Sequence, residues 1–246
     1  MKPGTYRCRR AVTASDIRRA QAVRCEVFGT ECGYLDPSAR SAGYEQDPWD
    51  LHPEAVHFLL ERDRACVGAA RLVFGRLRSG CPGLGYGVPM ETQFDLMPLS
   101  STSTCVAEVG RMCIREDHRG HGTAPLVYGA LARECLRRNA TSLIGCANCE
   151  VDTRDGALEL EQIITDLGLW SDTIFQPRVP AQDDPMHLPS LKTSDLATLP
   201  PVLRSYVAWG RVTFAGRPIF DRKFGRFAIA FLCDPRVLMR LAGNGP

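Results

Sequence analysis

One stretch of the sequence, residues 105–138, does most to restrict the folds open to this chain. A β-strand is predicted at residues 105–115, a polar loop follows at 116–121, and small residues open a predicted helix at 122–138. A helix start of this kind presents unpaired backbone N–H groups and the positive end of the helix dipole, which favour a bound phosphate. The chain is therefore expected to be an α/β protein that binds a phosphorylated ligand.

The flanking sequence continues the α/β pattern. A helix is predicted at 13–31, with Thr13 or Ser15 as its cap and Gly33 ending it. Asp155 is expected to cap a helix at 157–167. Further strands are predicted at 56–61, 66–74, 142–151, 212–214 and 227–233, and a further helix at 201–209. Because no repeat or linker interrupts this order, we predict one domain over residues 1–246, with long irregular insertions at about 75–104 and 170–200.

Composition excludes several classes of protein. The 246 residues carry a formal net charge of +2, too little for a protein held to nucleic acid by bulk electrostatics. The eleven cysteines have no regular spacing and follow no secretory signal, so we expect reduced thiols in the cytoplasm. No run approaches the roughly 20 apolar residues that span a bilayer. Contact with the inner membrane is expected to be peripheral at most.

The loop and helix start at 119–124 carry a motif. Arg119, Gly122 and Ala124 are spaced as Arg-x-x-Gly-x-Ala, which resembles the motif with which the GNAT superfamily cradles the pyrophosphate or phosphopantetheine of an acyl thioester. The resemblance implies a mixed, mostly antiparallel central sheet flanked by helices. It also implies an acyl-donor site formed by Arg119, Gly120, Gly122, Thr123 and Ala124, where Gly122 lets the backbone approach the donor without a Cβ.

More of the chain resembles the acyl-carrier-protein-dependent branch of this superfamily, which comprises ornithine-lipid N-acyltransferases, long-chain N-acyl amino acid synthases and, more distantly, acyl-homoserine lactone synthases. The matching residues include Arg24, Val27, Phe28, Glu31, Gly33, Asp47, Trp49, Asp50, His57, Gly68, Arg71, Phe94, Glu108, Arg111, Tyr206, Asp221 and Phe224. Tyr34 stands where the lactone synthases carry tryptophan, so lactone synthesis is not expected.

The resemblance implies an N-acyltransferase. It would move a long acyl chain from acyl carrier protein, or as the lesser option from CoA, to the α-amino group of an amino acid such as ornithine. The product would be an N-acyl amino acid or a lyso-ornithine-type lipid. The acyl-phosphopantetheine thioester is then a substrate, and no permanently bound cofactor is expected. Two alternatives stay open: an acetyl-CoA-dependent acetyltransferase, and a non-catalytic acyl-binding regulatory module of the same fold.

Glu108 is the candidate general base, and Arg111 is the second catalytic candidate. N-acylation needs a neutral amine, and a strand carboxylate beside the thioester can remove the proton of that amine. The structural alternative is that Glu108 merely pairs with Arg111. That pair is less natural, because residues three apart on a strand point to opposite faces.

Four charged residues are candidates for binding the acceptor, whose zwitterion needs one cationic and one anionic partner: Arg24, Asp47, Asp50 and Arg71. Their structural alternative is a solvated charge network. Phe28 and Phe94 are the acyl-chain candidates. Apolar residues within the insertions, including Met97 and Ile174, lead us to expect that one insertion covers the acyl chain and touches the membrane weakly.

A metal site is not expected. His118 and His121 lie close to each other, and Cys146 and Cys149 form a Cys-x-x-Cys pair. The histidines, however, occupy the predicted phosphate loop, and the two cysteines would face opposite sides of a strand.

Overall fold

The structure is a computed structural model that describes residues 5–77, 85–178, 195–208 and 212–242. Its strands are β1 (Tyr6–Arg10), β2 (Ala55–Arg62), β3 (Ala65–Arg76), β4 (Phe94–Asp95), β5 (Cys105–Ile114), β6 (Ser142–Asn148), β7 (Gln176–Pro177), β8 (Thr213–Phe214), β9 (Ile219–Asp221) and β10 (Arg226–Cys233). Its α-helices are α1 (Ala14–Arg24), α2 (Pro37–Ser41), α3 (Thr123–Arg137), α4 (Arg154–Asp166), α5 (Pro201–Ala208) and α6 (Pro235–Ala242). The helix α1 continues directly into a π-helix, Cys25–Glu31.

Eight strands form the central sheet, in the order β1-β2-β3-β5-β6-β10-β8, with β9 also paired to β10. The β5–β6 pair is parallel, and the other pairs of this sheet are antiparallel. The expected mixed, mostly antiparallel sheet is therefore confirmed. None of the helices in the described part of the chain combines the length and apolar composition needed to cross a bilayer.

The parallel pair parts midway along its length. The β5–β6 ladder runs from Val106 and Ser142 to Val109 and Gly145, after which β5 stays paired with β3 and β6 with β10. Gly145 lies so close to its neighbours that a Cβ there would meet the Val109 carbonyl oxygen at 2.7 Å. A glycine is therefore required where the ladder ends. The separation leaves the sheet open beside the second half of β5.

Apolar side chains cover both faces of the sheet. On one face Ala107 belongs to the main core cluster under α3, whose members include Leu72, Leu131, Leu143, Ile164, Leu203 and Phe231. On the other face Val106 belongs to a second cluster, which includes Met90, Phe94, Leu96, Ile144 and Phe175. A third, smaller cluster packs α1 on β2 and β3 and includes Ala20, Val23, Leu59 and Ala69. Because Val106 and Ala107 are neighbours on β5, the first two clusters lie on opposite faces.

Most of the predicted elements are present, and the differences have local causes. Thr13 caps α1, its hydroxyl accepting the Asp16 N–H at 3.1 Å. The expected cap Asp155 is wrong: Thr153 accepts the Gly156 N–H at 3.3 Å, and α4 begins at Arg154. Six elements were not predicted: β1, α2, β4, β7, β9 and α6.

The two predicted insertions are not independent loops. Within the first, the backbone forms 3₁₀ turns at Pro89–Thr92 and Met97–Ser101. Between these turns lies β4, which pairs antiparallel with β7 of the second insertion. The parts of the predicted insertions at 78–84 and 179–194, and the end of the predicted helix at 209–211, lie outside the described residues.

Candidate active site

A buried ion-pair network lies on the α1 face of the sheet. Arg24 donates from Nη1 and Nη2 to the two carboxylate oxygens of Asp50, each at 2.9 Å, and from Nε to Glu45 at 2.6 Å. Arg24 is 1% exposed and Glu45 is 3% exposed. Two charges of opposite sign are thereby held out of water at the end of α1, where the helix widens into its π-helical segment.

Three further cations complete this network. Arg71 on β3 donates from Nη1 to Asp47 and to Asp50, both at 2.6 Å. Arg111 on β5 pairs with Asp47 at 2.7 Å and with Glu45 at 3.2 Å. Lys223, between β9 and β10, donates to Glu45 as well. We call these seven residues the charged network: Arg24, Glu45, Asp47, Asp50, Arg71, Arg111 and Lys223.

Local structure positions the aspartates. Asp47 caps the 3₁₀ turn Pro48–Leu51 by accepting the Trp49 N–H at 2.9 Å. Gln21 donates to Asp50 at 3.0 Å, and the His57 ring lies 3.0 Å from the Asp50 carbonyl oxygen. The carboxylates thus enter the network with fixed orientations. The predicted acceptor set (Arg24, Asp47, Asp50 and Arg71) is brought together, and it is buried rather than solvated.

The network keeps its carboxylates ionised. Burial acts to raise the pKa of Glu45, Asp47 and Asp50, but the hydrogen bonds and charges of the surrounding cations outweigh it. The net effect lowers the pKa of each carboxyl. Burial likewise lowers the pKa of His57, which favours its neutral form. The three carboxylates of the network therefore stay ionised across the neutral pH range.

Glu108 lies on the same face of β5 as Val106, beside this network. Its carboxylate accepts the Met90 backbone N–H at 2.6 Å, and the residue is 8% exposed. Burial raises the pKa of Glu108 to about 8, with the Met90 N–H and the charges of Arg71 and Arg111 acting in the opposite direction. A carboxyl with this pKa can exchange a proton close to neutral pH.

Arg111 departs from the simple strand pattern. It has φ +54°, and the register of β3 against β5 shifts beside it. This bulge breaks the two-residue alternation of β5. The expectation that Glu108 and Arg111 point to opposite faces is therefore wrong, since Arg111 joins the network whose charges act on Glu108. Arg111 donates a hydrogen bond to Glu45 and forms an ion pair with Asp47 instead of Glu108.

The predicted phosphate loop leads into α3. Gly120 and Gly122 have φ +77° and +70°, and no side chain caps the helix start. Thr123 donates its hydroxyl to the His118 carbonyl at 2.9 Å, and Ala124 packs on the core. A Cβ at Gly122 would meet no protein atom within 4 Å, so the backbone angle is what requires glycine there.

Arg119 lies at the edge of this loop. Its Nε donates to the Ile114 carbonyl at 2.8 Å, and it pairs with Glu31 at 2.5 Å. Its side chain is 46% exposed, so part of the guanidinium remains accessible to a ligand. The charge near the helix start is thus positive but partly compensated.

The two acyl-chain candidates lie in different places. Phe94 is fully buried in the cluster that contains Met90. Phe28 packs beside the α1 cluster, with its ring 5.4 Å from the ring of Phe224. Cys146 and Cys149 also separate, because Cys146 packs against the Phe94 cluster and Cys149 belongs to the cluster under α3. No group of three metal-ligating side chains occurs among the residues that the structure describes.

Glu45 and Lys223 are site residues that the sequence analysis missed. Glu45 lies only two residues before Asp47, so the acidic stretch that pointed to Asp47 and Asp50 was a usable signal for it. Lys223 is one of only three lysines in a chain that otherwise uses arginine as its cation. This rarity makes the residue unusual, but it does not indicate that the residue belongs to a site.

Comparison with known proteins agrees with this geometry. The model of the acetyltransferase (GNAT) domain matches residues 23–128, which run from the end of α1 into α3. The matched region contains Arg24, Arg71, Glu108, Arg111 and the predicted phosphate loop. The domain model thus covers less than half of the chain, and the mostly antiparallel sheet flanked by helices has a GNAT-like fold.

Two curated relatives are ornithine acyltransferases. The chain is 30% identical over 151 residues to the L-ornithine N(alpha)-acyltransferase of Rhodobacter capsulatus, covering 59% of this chain and 57% of that protein. It is 26% identical over 153 residues to the protein of the same name from Brucella abortus, covering 59% and 53%. The chain thus spans little more than half the length of these relatives.

Solved structures share the fold. FeeM, an N-acyl amino acid synthase from uncultured soil microbes, has a TM-score of 0.57 at 13% identity over 99% of both chains. BjaI, a CoA-dependent acyl-homoserine lactone synthase with bound SAM and isopentyl-CoA, has a TM-score of 0.52 at 16% identity over 98% of this chain and 88% of its own. At these identities the likeness shows the fold alone.

Proposed function

We propose that the protein is an N-acyltransferase that moves a long acyl chain from a thioester to the α-amino group of an amino acid. The names of the two curated relatives and the GNAT domain support an acyl transfer of this class. The observation that carries the proposal is the position of Glu108. Its buried carboxyl, with a pKa of about 8, lies one residue before the end of the β5–β6 ladder, and the charges of Arg71, Arg111 and Asp47 in the charged network act on it.

In the proposed reaction the amine nitrogen attacks the thioester carbonyl carbon. The N–C bond forms, the C–S bond breaks, and the thiolate leaves and is protonated. Ionised Glu108 takes the proton that the acceptor ammonium must lose. An α-amino group in a model peptide has a pKa of about 8, so transfer to a carboxylate with a pKa of about 8 costs little free energy.

The donor phosphates are assigned to the loop and helix start at 119–124. The positive φ of Gly120 and Gly122 turns the loop toward α3, whose first N–H groups and dipole favour an anion. We propose acyl carrier protein as the donor, because the chain resembles carrier-protein-dependent enzymes. Acyl-CoA presents the same pantetheine arm and is the lesser option.

The acceptor is assigned to the charged network. Among the described residues, four cations face three carboxylates there, and the pKa of Glu108 keeps that carboxyl neutral in part of the molecules. The buried Nε of Arg71 has no hydrogen-bond partner. An amino acid carboxylate would compensate the excess positive charge. Ornithine is the acceptor that the names of the relatives favour.

Two apolar regions lie near Glu108 and are candidates for holding the acyl chain. One is the Phe94 cluster, which touches Glu108 through Met90. The other is a small apolar cavity on the α3 face that begins at Val109, where the β5–β6 ladder ends. Its lining includes Tyr128, Leu131, Leu143, Tyr206 and Phe231. Phe94→Ala and Leu143→Phe distinguish the two regions, because only the variant that changes the true pocket should change the preferred chain length.

The test of the function is mass spectrometry of lipid extracts from a bacterial host that expresses the chain, with the Glu108→Gln variant as control. A new N-acyl amino acid, absent with the variant, supports the proposal and identifies acceptor and acyl group together. Purified protein is then assayed with acyl carrier protein and CoA thioesters of equal chain length. Transfer only of acetyl from acetyl-CoA would assign the protein to the acetyltransferases, and binding without turnover would make it a regulatory module.

We place this reaction in the cytoplasm, with weak peripheral contact at the inner membrane. Met97 and Ile174 are exposed apolar residues that flank the β4–β7 pair of the two insertions. A long-chain product partitions into lipid, so an apolar edge near the site would ease its release.

A further inference from the structure

The turn between β9 and β10 is held rigidly. The Asp221 side chain accepts the N–H groups of Lys223 at 2.8 Å and Phe224 at 3.3 Å. Gly225, with φ +62°, donates its N–H to the Asp221 carbonyl at 2.8 Å. These bonds stabilise the backbone of the turn, and they thereby fix the positions from which the side chains of Lys223 and Phe224 extend.

Both side chains reach the charged network from its exposed side. The Lys223 ammonium contacts Glu45, 178 residues away in sequence, and its side chain is 40% exposed although Glu45 is buried. The Phe224 ring lies 5.2 Å from the Arg111 guanidinium and 5.9 Å from the Tyr34 ring. Two cations, Lys223 and Arg111, therefore stand at the mouth of the network against an aromatic surface.

The network does not need Lys223 for its charge balance. Glu45 already accepts hydrogen bonds from Arg24 and Arg111. With Lys223 the described network has four cations for three carboxylates, and without it three for three. An ammonium has three donors, and Glu45 uses one of those of Lys223. The lysine thus brings spare donors and the excess positive charge to the accessible edge.

We propose that Lys223 binds the carboxylate of the amino acid acceptor, with Phe224 packing over the bound acceptor. The inference rests on the proposed function and adds the residue that distinguishes an α-amino acid from a simple amine. The carboxylate would neutralise the network and form a charge-assisted hydrogen bond with the ammonium. The α-amino group would then be free to approach Glu108.

The test compares two acceptors that differ by the carboxylate alone, L-ornithine and 1,4-diaminobutane. Values of kcat/KM with a long-chain acyl thioester are measured for wild type, Lys223→Met, Lys223→Arg and Arg222→Met. Arg222 is the matched control, since it is an exposed cation on the same turn, one residue from Lys223. Thermal unfolding of each variant verifies that the turn and the protein remain folded.

We expect wild type to prefer ornithine. In Lys223→Met the ratio of kcat/KM for ornithine to that for diaminobutane should fall about 10- to 100-fold, the range for a lost hydrogen bond to a charged group. Lys223→Arg should restore part of the ratio, and Arg222→Met should leave it unchanged. Equal losses with both acceptors in Lys223→Met would make the lysine a structural partner of Glu45 and overturn the inference. If wild type acylates neither amine, ornithine is not the acceptor and the inference is overturned, whereas the proposed function itself is overturned only if the lipid extracts contain no new N-acyl amino acid.

Discussion

Glu108 is joined to Met90, 18 residues away, by a 2.6 Å hydrogen bond from the Met90 backbone N–H to Oε2. This bond ties the carboxyl on β5 to the first insertion, so the proposed base and Met90 of that insertion are positioned together. A backbone donor does not titrate, and it holds the carboxyl in place in both protonation states.

Glu108→Gln should lower kcat by about 10²–10⁴-fold and leave the donor KM nearly unchanged, because the amide keeps the shape but cannot take a proton. In wild type the rate should rise with pH as Glu108 ionises through its pKa of about 8. The variant should lose that limb. The exposed Glu159 offers a control, and Glu159→Gln should behave as wild type. A Glu108→Gln variant with normal turnover would make Asp47, Asp50 or a water the base.

The same substitution should change how stability depends on pH. Folding raises the pKa of Glu108 from its ordinary 4.5 to about 8, so between these values the folded state keeps a proton that the unfolded state releases. Wild type should therefore lose stability relative to Glu108→Gln as the pH rises from about 5 to 8, by on the order of a few kcal/mol. Urea unfolding at several pH values measures the difference. A constant difference across this range would contradict the raised pKa.

Arg24→Met should lower the free energy of unfolding by about 3–5 kcal/mol, because it leaves Glu45 and Asp50 as poorly compensated buried charges. Arg7 is exposed on β1 and serves as the control. Arg7→Met should change stability by less than about 0.5 kcal/mol. Chemical denaturation measures the free energy of unfolding of both variants. Similar losses of stability in the two would show that the buried ion pairs of Arg24 with Glu45 and Asp50 do not stabilise the protein.

Gly122→Ala should weaken donor binding. Gly122 has φ +70°, and the control Gly168, which follows α4, has φ +63°. Because this left-handed backbone conformation disfavours residues with a Cβ, alanine should cost about 1–2 kcal/mol of stability at both positions. A Cβ at either position would meet no protein atom within 4 Å, so no clash adds to this cost. Steady-state kinetics should show a several-fold higher donor KM for Gly122→Ala alone. An unchanged donor KM in this variant would remove the loop from the donor site.

The double variant Met97→Glu/Ile174→Glu should bind vesicles more weakly than wild type, since it adds charge to the exposed edge of the two insertions. Flotation with vesicles of mixed zwitterionic and anionic lipid measures the bound fraction. Val12→Glu alters another exposed apolar residue, outside the insertions, and should leave binding unchanged. Absence of wild-type flotation would refute membrane contact.

The elements around the predicted phosphate loop could be predicted because their signals are local. The mostly apolar residues of β5, the glycines of the loop and the small residues that open α3 all lie within one short stretch. Helix ends were harder, since Thr153 and Asp155 are both good caps two residues apart. Where such local signals are strong, the structure has the predicted strands and helices in the predicted order.

The charged network was only partly accessible to sequence reasoning. Arg24, Asp47, Asp50 and Arg71 came from a family resemblance, whereas Glu45 and Lys223 needed the folded chain to bring them together. The bulge at Arg111 explains the error about its face, because strand alternation assumes an unbroken register. Long-range ion pairing leaves no periodic trace along the chain, so spacing alone could not have identified these partners.

The pairing of β4 with β7 has a consequence for protein engineering. Phe94 and Asp95 of one insertion share a short ladder with Pro177 and Gln176 of the other. A chimera that takes only one of the two segments from a relative would pair a strand of the relative with the native β4 or β7. A change in that pairing would also move Met90, which lies in the same insertion as β4. Exchanging both segments as a single cassette preserves the ladder, so grafts intended to alter acyl selectivity should be built in pairs.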